Sequence, residues 1–196
     1  EAKALLKAAS EMGITRFAIM QPADHYGQSF TAAFETYAKQ YGIVIAKKLV
    51  YTGKKPDFQT EVGKLLAGSP KAGVNFQGLL VADGPEAAAQ IASFMANARV
   101  KNIRLFGPSL WDRPDLLRIG GRSVEKAVFV SGFYRQSARP GVNDFNDLFF
   151  HTFNENPSLW EASGYDAAML LQNLMSGQRR SRATLRDALL SQEEYP

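Results

Sequence analysis

The chain contains no cysteine, which excludes disulfides, thiol nucleophiles and cysteine-based zinc or iron sites together. A chain without thiols suits an oxidising compartment. Histidine is almost as scarce: His25 and His151 lie on unrelated segments, so no HExxH or comparable ligand spacing exists. Neither a metal nor a cofactor is expected. Long apolar runs are missing too. No stretch approaches the roughly 18 apolar residues a membrane span needs. The opening EAKALLKAASEMG mixes charges throughout, where a signal peptide would carry an apolar run. A leader or lipid anchor upstream of residue 1 stays open, because the sequence starts on a helical pattern without methionine. The glycine-containing stretches GKKPDF and GGRSV lack the spacing of dinucleotide and phosphate-binding loops.

What is present is ordinary for a globular protein: 196 residues, 45% apolar and 21% charged, with a formal net charge of +4. The basic residues fall in two groups. One is Arg99, Lys101, Arg104, Arg113, Arg118 and Arg122; the other is Arg179, Arg180, Arg182 and Arg186. The first is spread over helices and a strand with no aromatic platforms between, so a nucleic-acid partner is not expected. Solvated surface or a protein contact accounts for both.

Over the first 131 residues helix-like and strand-like segments alternate, which specifies a parallel sheet covered on both faces. Strands are expected at Ile14 to Met20, Ile43 to Tyr51, Phe76 to Ala82, Ile103 to Phe106 and Val124 to Ser131. Between them, Phe30, Ala33, Phe34, Tyr37, Ala38 and Tyr41 recur three and four apart, as do Phe58, Val62, Leu65 and Leu66, and then Ala88, Ile91, Ala92 and Met95. Asp57 is placed to cap the second of these helices after the Gly53-Lys54-Lys55-Pro56 turn. A shorter helix is expected around Asp112 to Ile119, and Gly120-Gly121 as a turn. Right-handed crossovers make a doubly wound, Rossmann-like parallel sheet of order 2-1-3-4-5 the economical α/β fold. Beyond Ser131 the pattern changes to three amphipathic helices marked by Val142 to Phe153, Ala167 to Leu174, and Leu185 with Leu189, without strands. A boundary is therefore drawn between residues 1–133 and 134–196.

In such a sheet the ligand crevice lies beyond the carboxyl ends of the strands where their order reverses. That selects three loops: Gln21 to Gln28, Asp83 to Glu86, and Gly107 to Asp112. In the first, Asp24 or Ser29 is available as a cap, free N–H groups would favour an acidic ligand group, Tyr26 is a stacking or hydrogen-bonding candidate and His25 a rim residue. Tyr26 is equally placed to be the first core contact of its helix. Asp83 either contacts ligand or caps the next helix. Ser109 and Trp111 complete the candidates, the indole as cleft wall or as core. Asp24, Asp83 and Asp112 could converge as a hydrolase would require, yet no nucleophile accompanies them.

The run Asp24-His25-Tyr26-Gly27, then Asp57-Phe58, Gly107-Pro108, Ala127 to Val130 and Tyr165-Asp166-Ala167-Ala168, resembles the second lobe of the type I periplasmic binding proteins that include the branched-chain amino-acid receptors. Ser109-Leu110-Trp111 and Gly132-Phe133-Tyr134 are most similar to the branch of penicillin-binding protein activators. The resemblance implies a non-enzymatic recognition protein of the periplasm or cell envelope, in full length an outer-membrane lipoprotein, that regulates peptidoglycan synthesis through contact with a synthase. Its alternative is the solute-binding protein of an ABC permease, for an amino acid or related small polar molecule. Tyr26 aligns with a ligand-contacting tyrosine of the receptors. Asp83-Gly84-Pro85 replaces one of their aromatic contacts, and Ser109 stands close to their ammonium-binding acid. Both departures weaken an amino-acid ligand. The resemblance further implies a C-terminal fragment whose last helices belong to an incomplete first lobe, and which self-associates to cover their apolar faces.

Overall fold

The computed structural model describes residues 1–53, 55–68, 73–176 and 181–191. Lys54 of the expected turn and Arg179 and Arg180 of the second basic group lie outside them. The chain divides into two units, Glu1–Ser131 and Gly132–Pro196.

In the first unit α1 (Ala2–Glu11) leads into β1 (Arg16–Pro22), α2 (His25–Gln40), β2 (Val44–Tyr51), α3 (Phe58–Leu66), β3 (Gly78–Val81), α4 (Pro85–Asn97) and β4 (Arg104–Gly107). A 3-10 turn at Ser109–Trp111, α5 (Pro114–Gly120), a second 3-10 turn at Gly121–Val124 and β5 (Val128–Phe129) complete it. All pairings are parallel and the sheet order is β2-β1-β3-β4-β5, the order expected.

Side-chain alternation sorts each strand between two apolar layers. Ala18 and Met20 of β1, with Leu79 and Val81 of β3 and Leu105 of β4, meet α3, α4 and α5 on one face. Phe17, Ile19, Leu80 and Phe106 meet α1 and α2 on the other. There Phe17 packs edge-on against Phe34 and Phe106, with centroids 5.3 and 4.9 Å apart. Each such side chain, fully buried, contributes roughly 1.5–3 kcal/mol. Helix starts follow local chemistry. The Asp57 carboxylate accepts from the N–H groups of Gln59 and Thr60, as its position predicted.

Each strand departs from its expected range at one end or both, and at β1 and β5 the cause is local. Ile14 is not in β1: its N–H closes the end of α1 on the carbonyl of Ala9 at 2.9 Å, after Gly13 turns the chain at φ 72°. The strand instead runs on through Pro22, opposite Tyr51. β5 is shorter than expected because the 3-10 turn holds Val124 in the core and Lys126 takes φ 65°, which interrupts an extended run.

The second unit contains α6 (Val142–Phe153), α7 (Leu159–Met175) and α8 (Arg182–Leu190), matching the three apolar stripes. Phe145 is its buried centre, with ring centroids 4.7 to 5.9 Å from Tyr165, Phe133 and Phe149. A reciprocal capping box between Ser158 and Glu161 starts α7. Leu148, Phe150, Phe153 and Trp160 stay exposed, the last at 81%.

Candidate functional site

The loop after β1 is shaped by Asp24, whose extended backbone and carboxylate cap α2: Oδ1 accepts from the N–H of Gly27 at 2.8 Å. Gly27 is required there. A Cβ at that position would fall 2.7 Å from Cδ and 2.8 Å from the carbonyl oxygen of Pro22, so the helix could not leave β1 so closely with any other residue. This start throws Tyr26 to the surface. It is 40% exposed and stacks on Phe30 at 6.0 Å, so it is not the core contact that its helical spacing allowed. His25 is exposed on the first residue of α2. The acidic ligand group expected at this helix start meets a correction: the protein's own Asp24 carboxylate is there.

Asp83 does not cap α4. Gly84 is the capping residue and Pro85 follows it at the first turn. The Asp83 carboxylate instead accepts from the Tyr51 hydroxyl at 2.7 Å and the Gly84 N–H at 2.6 Å. Tyr51 ends β2 and Asp83 follows β3, so their bond passes over the end of β1, which lies between those strands. Nothing local to Tyr51 announces this role; its place at a strand's carboxyl end was the available signal.

Trp111 lies inside the protein. At 1% exposure its ring belongs to the core beneath α4 and α5, and its Nε1–H donates to the Asp83 carbonyl at 2.8 Å. It supports the crevice from behind and offers a solute almost no surface, because the 3-10 turn folds the ring back over Gly107. Ser109 remains at the crevice. Its Oγ and N–H both donate to the Glu1 carboxylate, at 2.8 and 3.1 Å. A carboxylate 108 positions away in sequence thus stands against Ser109.

Electrostatics ties these loops together. The Tyr26 hydroxyl is pushed up to about 12, first by burial, then by the charges of Glu1, Asp83 and Asp24. Burial, the bond to Asp83, and the Asp83 and Asp24 charges raise Tyr51 as well. Asp112 is not among these neighbours and accepts from Ser131 Oγ at 2.6 Å, so the three aspartates do not form one cluster. No group of three or more metal-ligating side chains occurs among the described residues. Of two open hollows, one of about 550 Å³ is lined by Trp111 and Asp112 of the third loop together with α5 and β5, and one of about 370 Å³ lies beside α2 and β2.

A parallel α/β unit that gathers an exposed tyrosine, a serine and several carboxylates at the carboxyl ends of β1, β3 and β4 has the form of a small-molecule recognition lobe. The chain belongs to the periplasmic binding protein family, whose model matches residues 1–196. The family is generally non-enzymatic. No curated protein matches the sequence.

Among solved structures, a Rhodospirillum rubrum protein assigned to a branched-chain amino acid ABC transporter superposes with a TM-score of 0.82 at 22% identity, covering 100% of this chain and 55% of its own. An ABC transporter substrate-binding protein from Desulfitobacterium hafniense, solved with Leu, gives 0.71 at 23%, over 95% and 53%. A branched-chain amino acid transporter substrate binding protein from Streptococcus pneumoniae, solved with isoleucine, gives 0.70 at 19%, over 100% and 54%. At these identities the likeness is one of fold. The chain spans about half the length of each. Among the described residues no helix is long and apolar enough to cross a membrane.

Proposed function

We propose that the chain is part of a periplasmic solute-binding protein serving an ABC permease, and that Tyr26, Asp83 and Ser109 form one wall of the site for an amino acid or related small polar molecule. The observation that carries this is that Ser109 bonds Glu1 while the charges of Glu1 and Asp83 both act on the Tyr26 hydroxyl, in loops that follow β1, β3 and β4. The family match and the amino-acid complexes of the Desulfitobacterium and Streptococcus proteins support it. His25 is a rim residue in this reading, and Trp111 holds Asp83 in place.

Isothermal titration against a panel of amino acids, small amides and organic acids tests the proposal, on this chain and on the protein in full length. Micromolar or tighter affinity is expected for at least one amino-acid-like solute. Tyr26→Ala should weaken it well beyond any change in stability. Unchanged affinity in the folded variant removes Tyr26 from the site, and absence of binding across the panel sinks the proposal.

A second reading, regulation of peptidoglycan synthesis as an envelope lipoprotein, is favoured by the exposed aromatics Tyr134 and Trp160, which suit protein contact. Affinity capture of the full-length protein from an envelope extract separates the two. Recovery of a permease supports solute delivery; recovery of a peptidoglycan synthase without a permease supports regulation.

A further inference from the structure

The first basic group of the sequence is split by the fold. Arg113 and Arg118 pair with Asp115 on α5. The others collect elsewhere. In a parallel sheet every strand starts at one end, and the helices that feed the strands finish there, so the amino end of this sheet lies away from the crevice. Arg16 starts β1 and Arg104 starts β4; Arg99 and Lys101 lie between α4 and β4; Arg122 and Lys126 lie between α5 and β5. Among the described residues none of these six is in an ion pair. Arg16 and Arg104 donate to neutral main-chain carbonyls, those of Asn75 at 2.8 Å and Lys126 at 2.9 Å. The acids at this end among the described residues are Glu11 and Glu125, so the balance is positive. Lys47, by contrast, spends its charge on the carbonyls of Leu65 and Ala67 where α3 ends.

Two further observations single this end out. Arg99, Asn102 and Lys126 take φ of 57°, 61° and 65°, the left-handed region that glycine occupies without steric cost. At two of these turns the chain carries a long basic side chain where glycine would be easier. Met12 after α1 and Val44 at the start of β2 are half exposed, and Val44 lies opposite Arg16 in the sheet. Apolar side chains thus stand at the same end as cations that no acid neutralises.

We infer that the amino end of the sheet is a docking surface for an anionic lipid bilayer. Its cations meet lipid phosphates while Met12 and Val44 enter the boundary between headgroups and acyl chains, the combination that holds a protein on a membrane surface without spanning it. The charges are spread from β1 to β5, about 15 Å at the usual strand spacing. A continuous anionic surface matches that breadth without a groove. Held this way, the first unit keeps the carboxyl ends of its strands, and the crevice with them, turned away from the bilayer.

The test is flotation of the full chain with vesicles of phosphatidylglycerol and phosphatidylcholine in a ratio of about 1 to 2, against phosphatidylcholine alone. Partition should be about tenfold or more stronger on the anionic vesicles, and the difference should shrink as salt is raised. Lys101→Glu with Arg122→Glu, both at exposed positions, should cut anionic binding about tenfold or more. Lys7→Glu with Arg186→Glu makes the same change of charge away from this end and should cut it several-fold less; thermal melting verifies the fold of both variants. Equal binding to the two vesicles, or equal losses from the two double variants, overturns the assignment. Absence of binding to either vesicle overturns it as well, and retention on immobilised polyglutamate in that case gives the surface to an acidic protein.

Discussion

The indole Nε1 of Trp111 donates to the main-chain carbonyl of Asp83 across 2.8 Å, and the same ring lies so close over Gly107 that a Cβ there would sit 2.1 Å from Cε2. One buried side chain thereby links the loop after β4 to the loop after β3. The crevice wall is rigid at this point because its support is core, with both the hydrogen bond and the packing satisfied inside the protein.

Gly107→Ala should consequently destabilise the first unit by about 1–3 kcal/mol, the usual range for overpacking a filled core. Denaturant unfolding checks the magnitude. A change below about 0.5 kcal/mol would mean that the indole can move aside and that the link to Asp83 is loose.

Tyr51→Phe removes the donor from Asp83 while keeping the ring against Phe58, 5.2 Å away. The expected loss is about 1.5 kcal/mol, the low end for a bond to a charged acceptor, since Asp83 is only partly buried. Solute affinity should fall with it. Stability equal to that of the parent protein would show that solvent replaces the hydroxyl without loss.

Alkaline pH should weaken the fold through Tyr26. Its phenol titrates at about 12 in the folded chain against 10.0 for the free side chain. Between those values the unfolded chain gives up this proton and the folded chain keeps it, so the stabilisation is complete below pH 10 and disappears as pH rises towards 12. Phenolate absorbance of the protein against its Tyr26→Phe variant isolates the group. Glu1→Gln should bring the titration down, because the Glu1 charge is the second contributor after burial; an unmoved midpoint would place Glu1 too far away to matter.

We expect the chain as given to self-associate. Leu148, Phe150, Phe153 and Trp160 expose large apolar surfaces on α6 and α7, which water disfavours and a second copy could cover. Light scattering should show mass rising with concentration, and the pair Phe150→Asp with Phe153→Asp should hold the chain monomeric. A monomeric mass at every concentration in the unaltered chain refutes this.

Sequence periodicity by itself determined the parallel sheet, its order and the three later helices, because apolar spacing and handed crossovers are local rules applied repeatedly. Capping followed in the same way at Asp57 and Asp24, where a carboxylate meets N–H groups two or three residues ahead. The switch-point rule also drew attention to Tyr26, Asp83 and Ser109. Only the tertiary structure decided what each touches. A tryptophan in a short turn is written alike whether it faces solvent or core, and packing over Gly107 sent Trp111 inward. Glu1 reaches Ser109 across 108 residues and Tyr51 reaches Asp83 across 32. Contacts of that span arise when elements distant in sequence are packed side by side, and no spacing along the chain encodes which side chains then meet at their ends.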